Sequence, residues 1–224
     1  MRSAGPDDRR AAFGDLVAGY WKPVYKYLRI QWHVSDDEAQ DLTQAFFTDA
    51  LDKEWLARYE PGKARFRTFV RLCVDRFAMN ARQSAERQKR GGATELLSLD
   101  FNGAEGELVR SGVTTAPDAD DFFRREFVRE LFDRAVNAVR SEYIAAGKAL
   151  HITLFERYDL DPSAATSYAS LAREHGLTQA QVTNALAQVR RSFREHALSA
   201  LRGLCGSDEE LRREARELFG LEIE

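Results

Sequence analysis

Apolar residues recur at intervals of three and four along most of this chain, and that spacing constrains its fold more than any other feature. The first such segment runs from Arg9 to Ile30, with apolar residues at Phe13, Leu16, Val17, Tyr20, Trp21, Val24 and Leu28. This period is that of an amphipathic helix. Pro, which breaks helices, occurs only 5 times in 224 residues. Because no segment indicates a strand, the sequence predicts an all-α fold.

The helical pattern is lost between Gly91 and Pro117, where Gly, Ser, Thr and acidic residues dominate. Such a composition is typical of an interdomain linker. We therefore predict two helical domains joined by a flexible linker and followed by an acidic extension. The predicted N-terminal domain, linker, C-terminal domain and extension are residues 9–92, 93–117, 118–205 and 206–224.

Several polar residues mark where helices begin. Ser35 with Glu38, and Thr178 with Gln181, have the spacing of a capping box. Asp118 stands where it can cap the helix that follows the linker. We expect Pro23 to kink or restart the first helix, because its ring clashes with the preceding turn.

No pattern for catalysis or metal binding is present. The four histidines are scattered, and neither Cys73 nor Cys205 has a neighbour at metal-ligand spacing. A Gly-rich phosphate loop is also missing. We therefore expect no catalytic site, no metal and no cofactor.

No apolar stretch is long enough to cross a membrane, and the N-terminal residues lack the apolar core of a secretory signal. The sequence therefore predicts a cytoplasmic protein without membrane insertion.

Charge is sorted by segment, although the formal net charge is only −3. Acidic residues outnumber basic ones between 36 and 60, whereas basic residues dominate from 63 to 90 and again near the end of the last long helix. Two basic helices separated by acidic segments suggest two contacts with a polyanion and a different partner for the acidic helix. Solvation of surface faces is the alternative explanation.

Residues 171–191 have the pattern of a helix-turn-helix. Ala172 is small enough for two helices to cross closely, Gly176 permits a tight turn, and Leu177, Val182 and Leu186 can fill the space between the helices. The polar side chains left facing outward would be Gln179, Gln181, Asn184, Gln188 and Arg191. Gln and Asn read base edges and Arg binds guanine or phosphate. An ordinary helical hairpin is the alternative.

The stretch from Ser167 to Phe193 resembles the C-terminal DNA-binding region of the extracytoplasmic-function (ECF) sigma factors, within the sigma-70 family. In the N-terminal half, Asp41-Leu42-Thr43-Gln44-Ala45-Phe46-Phe47 is similar to the Asp-Leu-x-Gln-x-x-Phe signature of the family's polymerase-binding helix. The segment from Arg65 to Arg90 is similar to its promoter-melting helix. The three motifs stand in the family's order and together cover about two-thirds of the chain.

This resemblance implies an alternative sigma factor that binds RNA polymerase core, recognises the −10 and −35 promoter elements and promotes DNA melting. The residues implied to dock on the clamp helices of the largest catalytic polymerase subunit are Asp41, Gln44, Phe46 and Phe47. Those implied to contact the −10 element are Phe66, Arg67, Arg71, Arg76, Asn80, Gln83 and Arg87. Those implied to contact the −35 element are Gln179, Gln181, Asn184, Gln188, Arg190, Arg191 and Arg194.

The chain also departs from the family pattern. Phe69 stands where Trp is usual, and its place on the apolar stripe favours packing in the core. Thr183 and Ala185 occupy positions that are often basic, so the DNA-binding interpretation depends more on the arginines that follow.

Two other functions stay open. One is a helix-turn-helix transcriptional regulator that binds DNA but not core polymerase, and the other is a protein-interaction module with degenerate DNA helices. The means of control is equally open: an anti-sigma protein, the acidic extension, or a kinase acting on Thr43 or Thr68.

Overall fold

The computed structural model describes residues 6–52, 58–85, 98–161 and 167–223. Within these ranges the chain is helical and forms no strand, which confirms the all-α prediction. The helices are α1 (Pro6–Gln31), α2 (Asp36–Asp52), α3 (Phe66–Ala85), α4 (Phe101–Ser111), α5 (Ala119–Ala145), α6 (Ala149–Phe155), α7 (Tyr168–Glu174), α8 (Gln179–Arg202) and α9 (Asp208–Phe219). A π-helical turn, Glu156–Leu160, continues α6. Pro23 lies inside α1 without ending it.

Contacts divide the chain into two compact units, and the division differs from the predicted domains. The first unit comprises Met1–Glu130 and Leu201–Glu224, and the second comprises Leu131–Ala200. The acidic extension therefore belongs with the N-terminal helices. The first turns of α5, predicted to open the C-terminal domain, also belong to the first unit.

The predicted linker contains the helix α4. Asp100 caps this helix by accepting a hydrogen bond from the amide of Gly103 (3.0 Å), and Gly112 ends it in the left-handed conformation (φ 65°). Phe101 is buried, with its ring 5.5 Å from that of Trp21 in α1. The interpretation of residues 93–117 as a flexible linker is therefore wrong for the segment that α4 spans.

Buried ion pairs hold α4 and α5 against α1. Lys26 is only 2% exposed, and its Nζ lies 2.7 Å from Glu107 of α4 and 2.9 Å from Glu126 of α5. Arg29, one helical turn later, pairs with Glu105 of α4 at 2.6 Å. Because an unpaired charge is very costly to bury, the position of Lys26 requires both acidic partners.

The second unit has a separate apolar core. Side chains from α5, α6, α7 and α8 form it: Val139, Tyr143, Ile152, Leu154, Phe155, Leu171, Ala172, Val182, Ala185, Leu186 and Val189. Asp118 caps α5 as predicted, accepting from the amide of Asp121 at 2.9 Å. This core determines which face of α8 is left for solvent.

We predict that Lys26→Ala lowers the free energy of unfolding by about 3 kcal/mol, because it leaves the buried carboxylate of Glu126 with only its exposed partner Arg129. Urea denaturation measures the change. The matched control is Lys63→Ala, which removes an exposed ion pair with Glu60 and should leave stability nearly unchanged. Equal losses in the two variants would show that Lys26 does not organise this unit.

Candidate nucleic-acid interfaces

A tight turn of four residues, 175–178, joins α7 to α8. Gly176 adopts a left-handed conformation (φ 65°) that side chains rarely tolerate, and the amide of Leu177 donates to the carbonyl of Ala172 at 2.8 Å. A capping box begins α8. The backbone amide of Gln181 donates to the Thr178 hydroxyl at 3.2 Å, and the side-chain oxygen of Gln181 accepts from the backbone amide of Thr178 at 2.8 Å. The turn and the cap therefore lie where the sequence predicts them.

The two faces of α8 are sorted as the sequence predicts. Val182, Leu186 and Val189 are fully buried. The exposed polar residues are Gln179, Gln181, Asn184, Gln188, Arg191 and Arg194. These six were all predicted to contact the −35 element, and together they give α8 a polar and basic outer face.

Two of the predicted −35 residues also have structural roles. The side chain of Gln181 belongs to the capping box of α8. Arg190 pairs with Asp159 at 2.8 Å and donates to the Tyr168 hydroxyl at 3.2 Å. The hydrogen bonds that Arg190 donates to the Asp159 carboxylate raise the pKa of Arg190, so this guanidinium is bound within the second unit. Arg191 and Arg194 are therefore the better candidates for phosphate contacts.

The middle of α3 carries an exposed polar stripe. Arg76, Asn80 and Gln83, predicted to contact the −10 element, are all exposed, and Leu72 and Met79 beside them are about half exposed. An apolar surface next to a cation and amides suits an unstacked base. Arg87, predicted to join them, lies outside the described residues.

The first turns of α3 are covered rather than open. Arg67 is 6% exposed, and its Nη2 donates to Glu217 of α9 at 2.7 Å. Arg71 pairs with Asp75 at 2.6 Å and with Asp120 of α5. Carboxylates of the chain occupy both guanidinium groups in this conformation, so the contact of Arg67 and Arg71 with a DNA strand stays a prediction that requires their displacement.

Phe66, also predicted to contact the −10 element, packs in an aromatic cluster. Its ring lies 4.9 Å from that of Tyr59, 5.9 Å from that of Tyr20 and 6.1 Å from that of Phe69. Phe69 itself lies 5.4 Å from Tyr59. The packing role expected for Phe69 is confirmed, and Phe66 shares it.

The residues predicted to bind polymerase divide into two groups. Asp41 is exposed and Gln44 is half-buried on α2. Phe46 and Phe47 are 1% and 0% exposed, and Phe46 packs edge-on against Phe77 of α3 at 5.7 Å. Both rings are buried in this conformation, and their contact with a polymerase partner stays a prediction.

Sequence reasoning missed the carboxylates that cover α3. Glu210, Glu214 and Glu217 of α9 repeat at intervals of four and three, which places them on one helical face. The arginines of α9, at 212, 213 and 216, are exposed on the other side. This sorting of charge within one short helix is a signal that could have predicted an ion-paired face.

The carboxylates of α9 differ in how well they are satisfied. Burial raises the pKa of Glu214, and neither of its oxygens accepts a hydrogen bond. Partial burial also raises the pKa of Glu217, but the hydrogen bonds from Arg67 and Arg65 prevail and hold it below its ordinary value. In the contact between α9 and α3, Glu217 is therefore well satisfied by hydrogen bonds, whereas Glu214 is not.

Among the described residues, no group of three or more His, Cys, Asp and Glu side chains could hold a metal ion. Over the same ranges, no helix combines the length and the apolarity needed to cross a bilayer.

The chain was also compared with known proteins. No protein-family model, no curated protein and no solved structure matches it. The features of the chain that bear on its function are therefore its motifs and the exposed faces of α2, α3 and α8.

We predict that Phe47→Ala lowers the free energy of unfolding by about 3–5 kcal/mol, because it removes a fully buried ring. Asp41→Ala on the exposed side of the same helix should leave stability nearly unchanged. Chemical denaturation of both variants measures the difference. A stable Phe47→Ala protein would contradict the assignment of this ring to the core.

Proposed function

We propose that this protein is an alternative sigma factor of the ECF type, which binds RNA polymerase core and recognises the −10 and −35 promoter elements. The observation that carries the proposal is the division of α8 into a buried apolar face and an exposed polar and basic face. Each residue that the motif assigns to base or phosphate contact, apart from Arg190, is exposed, whereas Ala172, Val182 and Leu186 are buried and Leu177 packs half-buried against the same core. A recognition helix in the major groove needs this arrangement.

The α7–turn–α8 segment acts as a helix-turn-helix in this proposal. Asn184 and Gln188 read base edges, and Arg191 and Arg194 bind phosphates. Ala185 is 4% exposed, so the loss of a basic residue there removes nothing from the exposed face. Arg190 instead supports α8 through its pairing with Asp159.

The exposed stripe of α3 serves the −10 element. Arg76, Asn80 and Gln83 contact the displaced strand, and Leu72 and Met79 offer apolar surface to an unstacked base. The stripe and the face of α8 belong to different units of the chain, which agrees with two separate promoter contacts.

Polymerase docking uses the outer face of α2. Because Phe46 and Phe47 are buried, the contact depends on Asp41 and Gln44 from the motif, together with the exposed Leu51 (54%). An acidic helix with an exposed aliphatic side chain is suited to a basic partner with an apolar patch.

A DNA-binding regulator that does not bind core polymerase is the second candidate. The burial of Phe46 and Phe47 favours it, since core packing alone accounts for these two residues of the polymerase-binding motif. Co-elution of the purified chain with core polymerase distinguishes the candidates, because only the sigma factor binds core.

We predict that Arg191→Ala and Arg194→Ala each weaken duplex DNA binding and reduce the slope of log K against log salt by about 1, since each removes one phosphate contact. Fluorescence anisotropy at several salt concentrations measures the slope. Arg140→Ala, in the same unit but paired with Glu156, is the matched control and should keep the wild-type slope. Unchanged slopes in both α8 variants would exclude this face of α8 as the DNA contact.

A further inference from the structure

The acidic face of α9 lies against the N-terminal end of α3. Glu210 is 3% exposed and accepts a hydrogen bond from the backbone amide of Phe66, the first residue of α3, at 2.6 Å. The Tyr59 hydroxyl donates to the same carboxylate at 2.8 Å. A helix N-terminus carries partial positive charge, so Glu210 occupies a position that favours an anion.

Two arginines flank that helix end and receive the other carboxylates. Arg67 donates to Glu217 at 2.7 Å, and Arg65 also hydrogen-bonds Glu217. Glu214 lies between them, 3.3 Å from Arg65 Nε and 3.4 Å from Arg67 Nη1. The Phe66 amide and the two guanidinium groups together form a cationic site that is filled by three carboxylates.

The fit of α9 in this site is incomplete. Nη1 of Arg67 and both oxygens of Glu214 are buried without a hydrogen-bond partner. Such groups lose their contacts with water and gain only a loose ion pair, which weakens the docked state. A cleft of about 360 Å³ adjoins the contact, with Arg65, Arg67 and Thr68 in its lining.

We infer that the N-terminal end of α3 is a binding site for the phosphodiester backbone of single-stranded DNA, and that α9 closes this site by placing carboxylates where phosphates would bind. The identity of the anion rests on the proposed function, whereas the closure rests on the contacts of α9. Phosphate oxygens can accept from the Phe66 amide and from both arginines, as the carboxylates do.

Displacement of α9 is physically accessible. The helix has 12 residues, of which the apolar Leu211 and Ala215 are buried and Leu218 and Phe219 are half-buried. An isolated helix of this length is marginal in water, so an undocked α9 loses structure as well as contacts. DNA that replaces the carboxylates therefore competes with the ion pairs and the apolar contacts of one short helix.

Charge reversal at the residues of α9 that face α3, compared with charge reversal at exposed positions nearby, tests the closure. Glu214→Lys with Glu217→Lys places cations against Arg65 and Arg67, which should undock α9 and tighten binding of an oligomer of about 15 thymidines by about tenfold. Glu209→Lys with Glu222→Lys, at exposed positions, changes the net charge equally and should tighten binding far less. If both variants gained the same affinity for oligothymidine, net charge alone would explain the effect and the inference would be overturned.

A second readout leaves α9 unaltered and so guards against misfolding of the charge-reversed variant. Burial, followed by the charges of Glu210 and Glu214, raises the pKa of the Cys205 thiol to about 12, so alkylation should be slow while α9 is docked. Saturating oligothymidine should accelerate alkylation of Cys205 in a Cys73→Ser background, together with amide hydrogen exchange over residues 208–219. DNA binding without either acceleration would show that α9 stays docked, which overturns the inference.

Core polymerase separates this inference from the proposed function. If the chain binds core and the Glu214→Lys, Glu217→Lys variant binds oligothymidine no more tightly than the unaltered chain, the inference fails and the sigma-factor proposal stands. If neither the unaltered chain nor its variants bind core, yet only the Glu214→Lys, Glu217→Lys variant binds oligothymidine more tightly, the closure stands and the sigma-factor proposal fails.

Discussion

The buried ammonium group of Lys26 is the constraint on which the first unit depends. At 2% exposure it needs anionic partners, and Glu107 of α4 and Glu126 of α5 supply them from two later segments of the chain. Their requirement explains why a sequence with the composition of a linker folds back on α1. It also brings the start of α5 to α3, where Asp120 pairs with Arg71.

The basic residues of α3 are divided by this packing into two sets. Arg67 and Arg71 are neutralised within the chain by α9 and α5, whereas Arg76 is exposed beside Asn80. The exposed basic surface in this conformation is therefore smaller than the run of basic residues suggests. Under the proposed function, a covered cation binds DNA only after its carboxylate is displaced, and the covering helix would then control access to it.

Local patterns predicted much of what was observed, and non-local packing explains the differences. The caps at Asp118 and Thr178 and the faces of α8 follow from spacing alone, because each depends on residues a few positions apart. Phe46 of α2 packs against α3, and Arg67 of α3 pairs with α9. Each partner helix is distant in sequence from the residue that it covers. Periodicity shows which residues share a face, but not whether another segment covers that face.

Core-dependent transcription tests the central claim most directly. The purified chain is mixed with bacterial core polymerase and a promoter library, and the RNA 5′ ends are mapped. A sigma factor should give defined start sites that require the chain and that are lost when Arg76 and Asn80 are replaced by Ala, with core binding retained. Failure to bind any core polymerase, with duplex DNA binding intact, would contradict the sigma-factor account and favour the DNA-binding regulator.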